Sequence, residues 1–273
     1  MSLRFAVIGN PIAHSRSPNI HALFAEQMGI ALTYERVHAE ADAFVSCIER
    51  LIARGFRGAN VTLPFKEEAL HISTRPTDRA ARAGAANTLS FEANSIAADN
   101  TDGAGLLRDL VMNHGIQIKG RRVLLLGAGG AARGVLHPLL DARPQELVIA
   151  NRTIGRAVEL AAQDPVAGRT RAAHFEDTGR EVFDLVINAT SASVQGSALH
   201  IPPSCFGPHT LAYDMMYGAT PTTFMVYAAH QRARTADGLG MLVEQAAEAF
   251  FVWHGMRPET ASVLTALRKR LSE

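Results

Sequence analysis

Short apolar runs and amphipathic stretches alternate along the first hundred residues of the chain. The runs at 3–8, 32–37 and 59–63 contain apolar or β-branched residues and are followed by turn-forming or polar residues, which is typical of strands. Apolar residues spaced three and four positions apart come after each run and predict amphipathic helices. This alternation predicts an α/β domain with largely parallel strands.

Two segments near residue 90 break the alternation. Segments 87–91 and 96–99 are both strand-like, and Asn94 and Ser95 form a short turn sequence between them. Two such runs separated by a short polar turn predict a β-hairpin, which adds antiparallel strands to the sheet. We therefore expect a mixed, mainly parallel sheet in the N-terminal domain.

The second half of the chain repeats the strand and helix alternation. Strands are predicted at 123–126, 146–150, 183–187 and 211–213. Helices are predicted at 222–233, 241–253 and 258–271. The turn sequence Asp237-Gly238-Leu239-Gly240 lies between the first two of these helices, and we interpret it as a crossing between two domains.

Composition limits the functional classes. With 273 residues, 47% of them hydrophobic, the chain is long enough for two domains. The net charge is +1 without runs of like charge, so nothing indicates binding to nucleic acid or to a membrane. The eleven histidines show no metal-ligand spacing, and Cys47 and Cys205 are too few for a disulfide framework. We expect a cytoplasmic protein that acts on a small molecule without a metal.

The segment 60–66 combines polar side chains at a strand end with a lysine in the first turn of a helix. Alternation directs Asn60 and Thr62 to the same face of the strand. The positive end of the helix dipole disfavours the cation of Lys66, so the lysine suits proton transfer or oxyanion stabilisation better than it suits stability. A solvated charged turn with Glu67 and Glu68 would explain Lys66 equally well.

The loop before the first helix carries two serines. Ser17 is a good N-cap with Pro18 at the first helical position. Ser15 is then not needed for capping, and the two hydroxyls would suit a hydroxylated or carboxylate ligand. The alternative is that Ser15 only forms the turn.

Further polar candidates have structural alternatives as well. The stretches 84–88 and 100–103 open and close the predicted hairpin, so their polar side chains would lie at one edge of the same pocket. Asp102 would also serve as a helix cap. Gln245 falls within the apolar stripe of its helix, where it would line a pocket or be a satisfied buried amide.

A glycine-rich turn follows the apolar strand at 123–126 and opens a helix. Gly127, Gly129 and Gly130 in this position would let the backbone approach a pyrophosphate at the helix N-terminus. The strand before the turn, the helix after it and the strand at 146–150 complete the βαβ unit that this motif requires. The sequence therefore predicts a dinucleotide site.

The residues after the second strand of this unit distinguish the two nicotinamide cofactors. A carboxylate at this place would bind the ribose 2′-hydroxyl of NAD, but the chain has Asn151, Arg152 and Thr153, with Arg156 one turn later. Guanidinium groups pair with phosphate bidentately, so these residues favour the 2′-phosphate of NADP. The alternative is a solvated start of the next helix.

Several motifs carry a family resemblance that covers essentially the whole chain. They are 14–18 (HSRSP), 60–66 (NVTLPFK), 84–88 (GAANT), 100–103 (NTDG), 127–133 (GAGGAAR), 151–153 (NRT), 214–217 (DMMY) and 238–245 (GLGMLVEQ). With them the chain resembles the shikimate dehydrogenase family. The resemblance implies NADPH-dependent reduction of 3-dehydroshikimate to shikimate, on the route to chorismate and the aromatic amino acids.

The resemblance also implies roles and domains. The catalytic pair would be Lys66 and Asp102, and the substrate contacts would be Ser15, Ser17, Thr62, Asn87, Tyr217 and Gln245. The cofactor contacts would be Asp78, Gly127, Ala128, Gly129, Gly130, Ala131, Asn151, Arg152, Thr153, Arg156, Met215, Gly238 and Met241. Residues 1–103 and 238–273 would form the substrate domain, to which the C-terminal helices return. A Rossmann-type NADP domain would occupy 104–237.

Two other functions remain open at this point. A quinate/shikimate dehydrogenase using NAD would require an acidic residue after Arg152, where Thr153 stands. A regulatory protein that binds the ligand without turnover could lose Lys66 or Asp102, and both are present. Either a monomer or a homodimer is compatible with the sequence.

Overall fold

The computed structural model describes residues 2–179, 181–190 and 199–272. The chain divides into two compact units. The first consists of Met1–Gly105 and Leu242–Ala266, and the second of Leu106–Met241 and Leu267–Glu273. Within the described residues, each unit contains a six-stranded sheet with helices, so the α/β fold class predicted from the sequence is confirmed.

The sheet of the first unit is mixed, with strand order β2-β1-β3-β5-β6-β4. Its strands are β1 (Leu3–Gly9), β2 (Leu32–His38), β3 (Gly58–Val61), β4 (Arg75–Pro76), β5 (Thr88–Glu92) and β6 (Ser95–Asp99). Strand β1 pairs in parallel with β2 and β3, whereas β5 and β6 form the predicted antiparallel hairpin. Strand β3 ends at Val61, two residues earlier than predicted.

The helices of the first unit follow its strands. They are α1 (Ser17–Met28), α2 (Phe44–Ala53), α3 (Lys66–His71) and α4 (Asp78–Ala83), together with most of α9 (Leu239–His254) and about half of α10 (Ala261–Ser272). Gly29, with φ 64°, ends α1 in the left-handed conformation that glycine adopts without strain. The apolar face of α2 packs through Phe44, Ile48 and Leu51 into the core beside the sheet.

The sheet of the second unit pairs its described strands in parallel throughout, with strand order β12-β11-β10-β7-β8-β9. The strands are β7 (Arg122–Leu126), β8 (Glu146–Ala150), β9 (Thr170–Ala173), β10 (Leu185–Asn188), β11 (Leu211–Asp214) and β12 (Arg234–Asp237). This is the doubly wound order of a Rossmann fold, with the reversal of strand order at β7. The predicted Rossmann-type fold is confirmed.

Alternate residues of β7 explain why the centre of this sheet is apolar. Leu124 belongs to the core on one face of the sheet and Leu125 to the core on the other. Parallel strands covered by helices on both faces need such continuous apolar runs.

Four α-helices accompany this sheet in the described part of the chain: α5 (Asp102–Arg108), α6 (Gly130–Asp141), α7 (Ile154–Ala161) and α8 (Thr223–His230). Helix α5 starts in the first unit and continues as the π-helical segment Asp109–Asn113.

The structure corrects the prediction of a helix at 222–233. Helix α8 ends at His230, and the chain then enters the edge strand β12. This strand has only four residues, of which Ala236 alone is apolar, so no period-two pattern identifies it. Strands β4 and β9 are also too short to show a period-two pattern, and they were not predicted either.

Candidate functional site

Lys66 and Asp102 lie in direct contact in the first unit. Lys66 is the first residue of α3, which follows the carboxyl end of β3, and Asp102 is the first residue of α5. The Nζ atom of Lys66 donates a hydrogen bond to Oδ2 of Asp102 at 2.6 Å. The two side chains remain 27% and 15% exposed, so the ion pair is partly shielded but open to a ligand.

Asn87 holds the other oxygen of this carboxylate. Its Nδ2 atom donates to Asp102 Oδ1 at 2.9 Å and also faces Gln245 Oε1 at 3.2 Å. The Nε2 atom of Gln245 donates to the backbone oxygen of Leu242 on its own helix. The structure thus brings Lys66, Asp102, Asn87 and Gln245 together, although they are distant in sequence.

The serine loop and the lysine helix leave the same end of the sheet. Strands β1 and β3 are parallel neighbours, with Ile8 opposite Val61, so the loops that follow them start side by side. The backbone N–H of Asn10 donates to the oxygen of Leu63 and connects the two loops. Candidate ligand residues on both loops therefore lie at one carboxyl edge of the sheet.

The structure corrects the interpretation of the two serines. Helix α1 begins at Ser17 itself, and the hydroxyl of Ser15 accepts a hydrogen bond from the Ser17 N–H at 3.3 Å. A serine hydroxyl commonly bonds to a backbone N–H two residues further on. Ser15 therefore has a structural contact that the sequence analysis did not predict. Ser17 is buried, with an exposed fraction of 6%, and is not the N-cap of α1.

Thr62 and Asn60 differ in their availability to a ligand. Among the described residues, the hydroxyl of Thr62 has no hydrogen-bond partner. The methyl group of Thr62 packs on Gly9 so closely that a Cβ atom added to Gly9 would lie 2.5 Å from it. Asn60 is buried, and both of its amide atoms bond within the protein, to Tyr34 and to the backbone oxygen of Asn87. The expectation that the Asn60 amide faces a pocket is therefore wrong, because its partners Tyr34, Asn87 and Thr88 occupy it inside the protein.

The glycine turn of the second unit fits a pyrophosphate. Gly127 has φ +105° and follows β7, and its N–H donates to the oxygen of Ala150 on β8. Helix α6 begins at Gly130, with no side chain capping it and no acidic residue in its first turn. A Cβ built on Gly129 or Gly130 would meet nothing within 4 Å. The free N–H groups of this helix start suit an anion.

The residues proposed for the 2′-phosphate lie beside this turn. Leu126 and Ala150 are partners in the parallel pairing of β7 and β8, so Gly127 and Asn151 follow neighbouring strand ends. The Nδ2 atom of Asn151 donates to the oxygen of Thr153 and shapes the loop. Arg152 and Arg156 are exposed, and neither forms an ion pair with any described residue. Both guanidinium groups are available to a phosphate.

Three other cofactor candidates differ in exposure. Ala128 is buried in the glycine turn, and Ala131 is exposed in the first turn of α6. Asp78 is exposed at the start of α4. It belongs to the first unit, whereas the other cofactor candidates belong to the second.

The last candidates follow the neighbouring strands β11 and β12. Met215 and Tyr217 come after β11, and Met241 is a core residue of the second unit. Gly238 follows β12, and a Cβ there would come within 2.1 Å of the Met215 oxygen. Only glycine therefore fits at position 238.

Sequence reasoning missed the buried hydroxyls around Asn87. Thr88 and Thr101 are 1% and 0% exposed, and both contact the Asn87 side chain. The only signal was their position next to Asn87 and Asp102 in the chain, and a threonine at a strand end is ordinarily explained by β-propensity.

A membrane-spanning helix is absent from the described part of the chain. Within residues 2–179, 181–190 and 199–272, no group of three histidine, cysteine or acidic side chains is arranged to hold a metal ion. Cys47 and Cys205 are buried free thiols.

Fold and site together define the class of this protein. The second unit has a doubly wound parallel sheet with a glycine turn after its central strand. The first holds a lysine and aspartate pair next to buried amides. The chain is an α/β protein with a dinucleotide-binding fold in its second unit.

Comparison with known proteins identifies the family. The profile of the shikimate dehydrogenase substrate binding domain matches residues 7–89, that of shikimate / quinate 5-dehydrogenase matches 109–195, and that of the shikimate 5'-dehydrogenase C-terminal domain matches 238–268. The shikimate dehydrogenase (NADP(+)) of Dechloromonas aromatica is 56% identical, over 99% of each chain. The chain belongs to the shikimate dehydrogenase family.

Solved structures agree in fold. An Ael1 enzyme from Pseudomonas putida superposes with a TM-score of 0.93 at 46% identity, over 97% of this chain and 98% of that one. The shikimate 5-dehydrogenase of Thermus thermophilus, in complex with NADP(H) and shikimate, gives a TM-score of 0.88 at 36% identity, over 98% and 100% of the two chains.

Proposed function

We propose that this chain catalyses the reversible NADPH-dependent reduction of 3-dehydroshikimate to shikimate, an oxidoreductase reaction at a CH–OH group on the route to chorismate and the aromatic amino acids. The observation that carries the proposal is the contact of Lys66 with Asp102 at 2.6 Å, with Asn87 on the second carboxylate oxygen. The relative from Dechloromonas aromatica is named for this activity, and the structure from Thermus thermophilus contains NADP(H) and shikimate.

Lys66 and Asp102 are the catalytic residues in this proposal. NADPH supplies the hydride when it is bound. As the substrate carbonyl is reduced, negative charge develops on its oxygen, and the ammonium of Lys66 stabilises this charge and donates the proton. Asp102 keeps the ammonium in position through Oδ2 and is itself kept in position by Asn87 through Oδ1.

The substrate contacts surround this pair. Ser15 and Ser17 hold the substrate carboxylate, because hydroxyl donors at the carboxyl edge of a sheet suit an anion. The hydroxyl of Thr62, which bonds to none of the described residues, and the partial exposure of Gln245 support their part in this set. The complete set of proposed contacts is Ser15, Ser17, Thr62, Asn87, Tyr217 and Gln245.

The cofactor site is assigned to residues that fit NADP. The open start of α6 receives the pyrophosphate, with Gly127, Ala128, Gly129, Gly130 and Ala131 as its residues. Arg152 and Arg156, with Asn151 and Thr153, receive the 2′-phosphate. Met215, Gly238, Met241 and Asp78 complete the proposed contacts.

We also propose a cytoplasmic location and a monomeric or homodimeric state. Two buried cysteines that form no disulfide support a reducing compartment. Sedimentation equilibrium of the purified chain would distinguish a monomer from a dimer, and fractionation of the source cells would test the location.

One assay tests the activity. Formation of reduced cofactor is followed by absorbance with shikimate and with quinate, each combined with NADP and with NAD. We expect the highest kcat/KM with shikimate and NADP. Faster turnover of quinate with NAD would make the chain a quinate/shikimate dehydrogenase. Binding of shikimate without any turnover would make it a regulatory binding protein.

A further inference from the structure

A continuous line of hydrogen bonds runs through the interior of the first unit to Asp102. The Tyr34 hydroxyl donates to Asn60 Oδ1 at 2.6 Å, and Asn60 Nδ2 lies 3.0 Å from Thr88 Oγ1. Thr88 Oγ1 lies 2.9 Å from Asn87 Oδ1, and Asn87 Nδ2 donates to Asp102. Asn60, Thr88 and Asn87 are at most 6% exposed, so water cannot replace these bonds.

Backbone groups determine the orientation of both amides. The backbone oxygen of Asn87 accepts from Asn60 Nδ2 at 3.1 Å, so Oδ1 of Asn60 must face the Tyr34 hydroxyl. The backbone N–H of Thr101 donates to Asn87 Oδ1 at 2.8 Å, so Nδ2 of Asn87 must face Asp102. A backbone N–H only donates and a carbonyl only accepts, and neither amide can therefore be reversed.

Distances direct the hydroxyl of Thr88. Its neighbour Asn60 Nδ2 only donates, so Thr88 accepts there. Its own proton is directed to Asn87 Oδ1 at 2.9 Å rather than to the Thr101 hydroxyl, which lies at 3.5 Å. The line therefore presents an N–H to the carboxylate of Asp102, as an anion requires.

The far end of the line, the half-buried Tyr34, packs against an aromatic cluster. Tyr34 stacks on His21 with the ring centroids 4.3 Å apart and the planes 7° from parallel, and Phe24 and Phe250 also lie against His21. Burial lowers the pKa of His21 to about 3, although the side chain of Asn60 acts in the opposite direction, and burial raises the pKa of Tyr34. Both rings stay neutral near pH 7. The Tyr34 phenol keeps its proton and His21 gains none, so neither ring exchanges a proton near pH 7, which suits positioning rather than proton transfer.

We propose that Thr88, with Tyr34 and Asn60 behind it, is a positioning residue that sets the Asn87 amide and through it the carboxylate of Asp102. The inference rests on the proposed function, since it assigns a role in the same reaction. Among the described residues, Asn87 is the only proposed substrate contact to which the Thr88 hydroxyl bonds. Its effect on turnover should accordingly pass through Asn87.

Two substitutions of Thr88 separate the hydroxyl from the shape of the side chain. Thr88→Val keeps the branched shape but leaves Asn60 Nδ2 and Asn87 Oδ1 each short of one bond, and it should lower kcat by about three- to tenfold. Thr88→Ser keeps the hydroxyl and should restore most of kcat. The matched control is Thr210→Val, because Thr210 is an equally buried threonine of the second unit that bonds to Phe183 and Gly207. It should lower the melting temperature without changing kcat.

Repeating the Thr88 substitution in an Asn87→Ala protein tests whether the effect of Thr88 on kcat passes through Asn87. In Asn87→Ala, adding Thr88→Val should reduce kcat no further, because residues that act through one another are not additive. Equal reductions in both backgrounds, or a Thr88→Ser as slow as Thr88→Val, would overturn the proposal.

A readout that does not depend on turnover separates this proposal from the proposed function. The side-chain ¹H–¹⁵N resonances of Asn87 should shift in Thr88→Val and return in Thr88→Ser. Unchanged resonances in Thr88→Val would contradict the positioning role even if the wild-type chain is active. If the variants show these shifts but the wild-type chain does not reduce 3-dehydroshikimate, only the activity would be contradicted.

Discussion

Replacing Lys66 by alanine tests the chemistry most directly. The substitution removes the ammonium that lies 2.6 Å from Asp102 and leaves that carboxylate with the Asn87 amide as its side-chain donor. Proton transfer by a positioned group contributes about 10²–10⁴ in rate, and we expect kcat to fall by at least that order. At about 1.4 kcal/mol for each factor of ten, this corresponds to roughly 3–5 kcal/mol of transition-state stabilisation.

The expected loss is in kcat rather than in KM. Lys66 acts on charge that develops only as the carbonyl is reduced, so ground-state binding of 3-dehydroshikimate should change little. Steady-state rates of NADPH oxidation over a range of substrate concentrations give both constants. Lys119→Ala is a suitable control, because Lys119 is an exposed lysine of the second unit. It should leave both constants and the melting temperature unchanged.

Asp102→Ala extends the test to the pair. Combined with Lys66→Ala, it should lower kcat by less than the product of the two single effects, because the residues act as a unit. The reasoning would be refuted if Lys66→Ala kept kcat within about tenfold and raised only KM, which is the pattern of uniform binding. Lys66 would then be a binding residue, and the acid would have to be another group.

The arginines of the cofactor site, the serine loop and the buried histidine give one prediction each. Arg152→Ala should weaken NADP binding by about 10- to 100-fold and NAD binding far less, because a charge-assisted contact to phosphate contributes about 1.5–3 kcal/mol. Titration calorimetry with both cofactors measures this, and equal losses would mean that the arginine is structural. Ser15→Ala should raise KM for 3-dehydroshikimate about tenfold with little change in kcat, since one hydrogen bond to a charged group is lost. Its melting temperature should hardly change, because the contact from the Ser17 N–H is long at 3.3 Å, and a large loss of stability with unaltered KM would mean that Ser15 serves the fold. His21 should make stability depend on pH. Burial lowers the pKa of His21 from 6.5 to about 3 in the folded state. The stability that the neutral His21 contributes is therefore complete above pH 6.5 and is lost as the pH falls from 6.5 towards about 3. At about pH 5 the loss should be about 2 kcal/mol relative to about pH 7.5, at about 1.36 kcal/mol per pH unit. Urea unfolding of His21→Phe at the two pH values should give a smaller difference in the free energy of unfolding than the wild-type chain gives. An equal difference in both proteins would mean that His21 is not its source.

Local signals account for what could be predicted from the sequence. The strand, glycine turn and helix around Gly127 are specified by neighbouring residues, because a fully apolar run and a glycine that must adopt positive φ are both visible in the chain. Local signals also predicted β8, from its apolar run, and the β5–β6 hairpin, from two strand-like segments on either side of a short polar turn. The short strands β4, β9 and β12 were not, because two to four residues carry no periodicity and form strands only beside a neighbour that supplies the hydrogen bonds.

The candidate site divides in the same way. Lys66 and Gln245 were proposed from sequence by their unfavourable or unusual local positions, Asp102 by its place at the end of the predicted hairpin, and all three by family resemblance. Their contact was not accessible to local reasoning, because Lys66 and Asp102 are 36 positions apart and meet only when the sheet forms. The same holds for Asn60 and Ser15, whose partners are set by the paired strands and by the start of α1. Residue type and local period thus determine which groups exist and on which element, whereas the pairing of distant strands decides which polar atoms are satisfied inside the fold and which remain for a ligand.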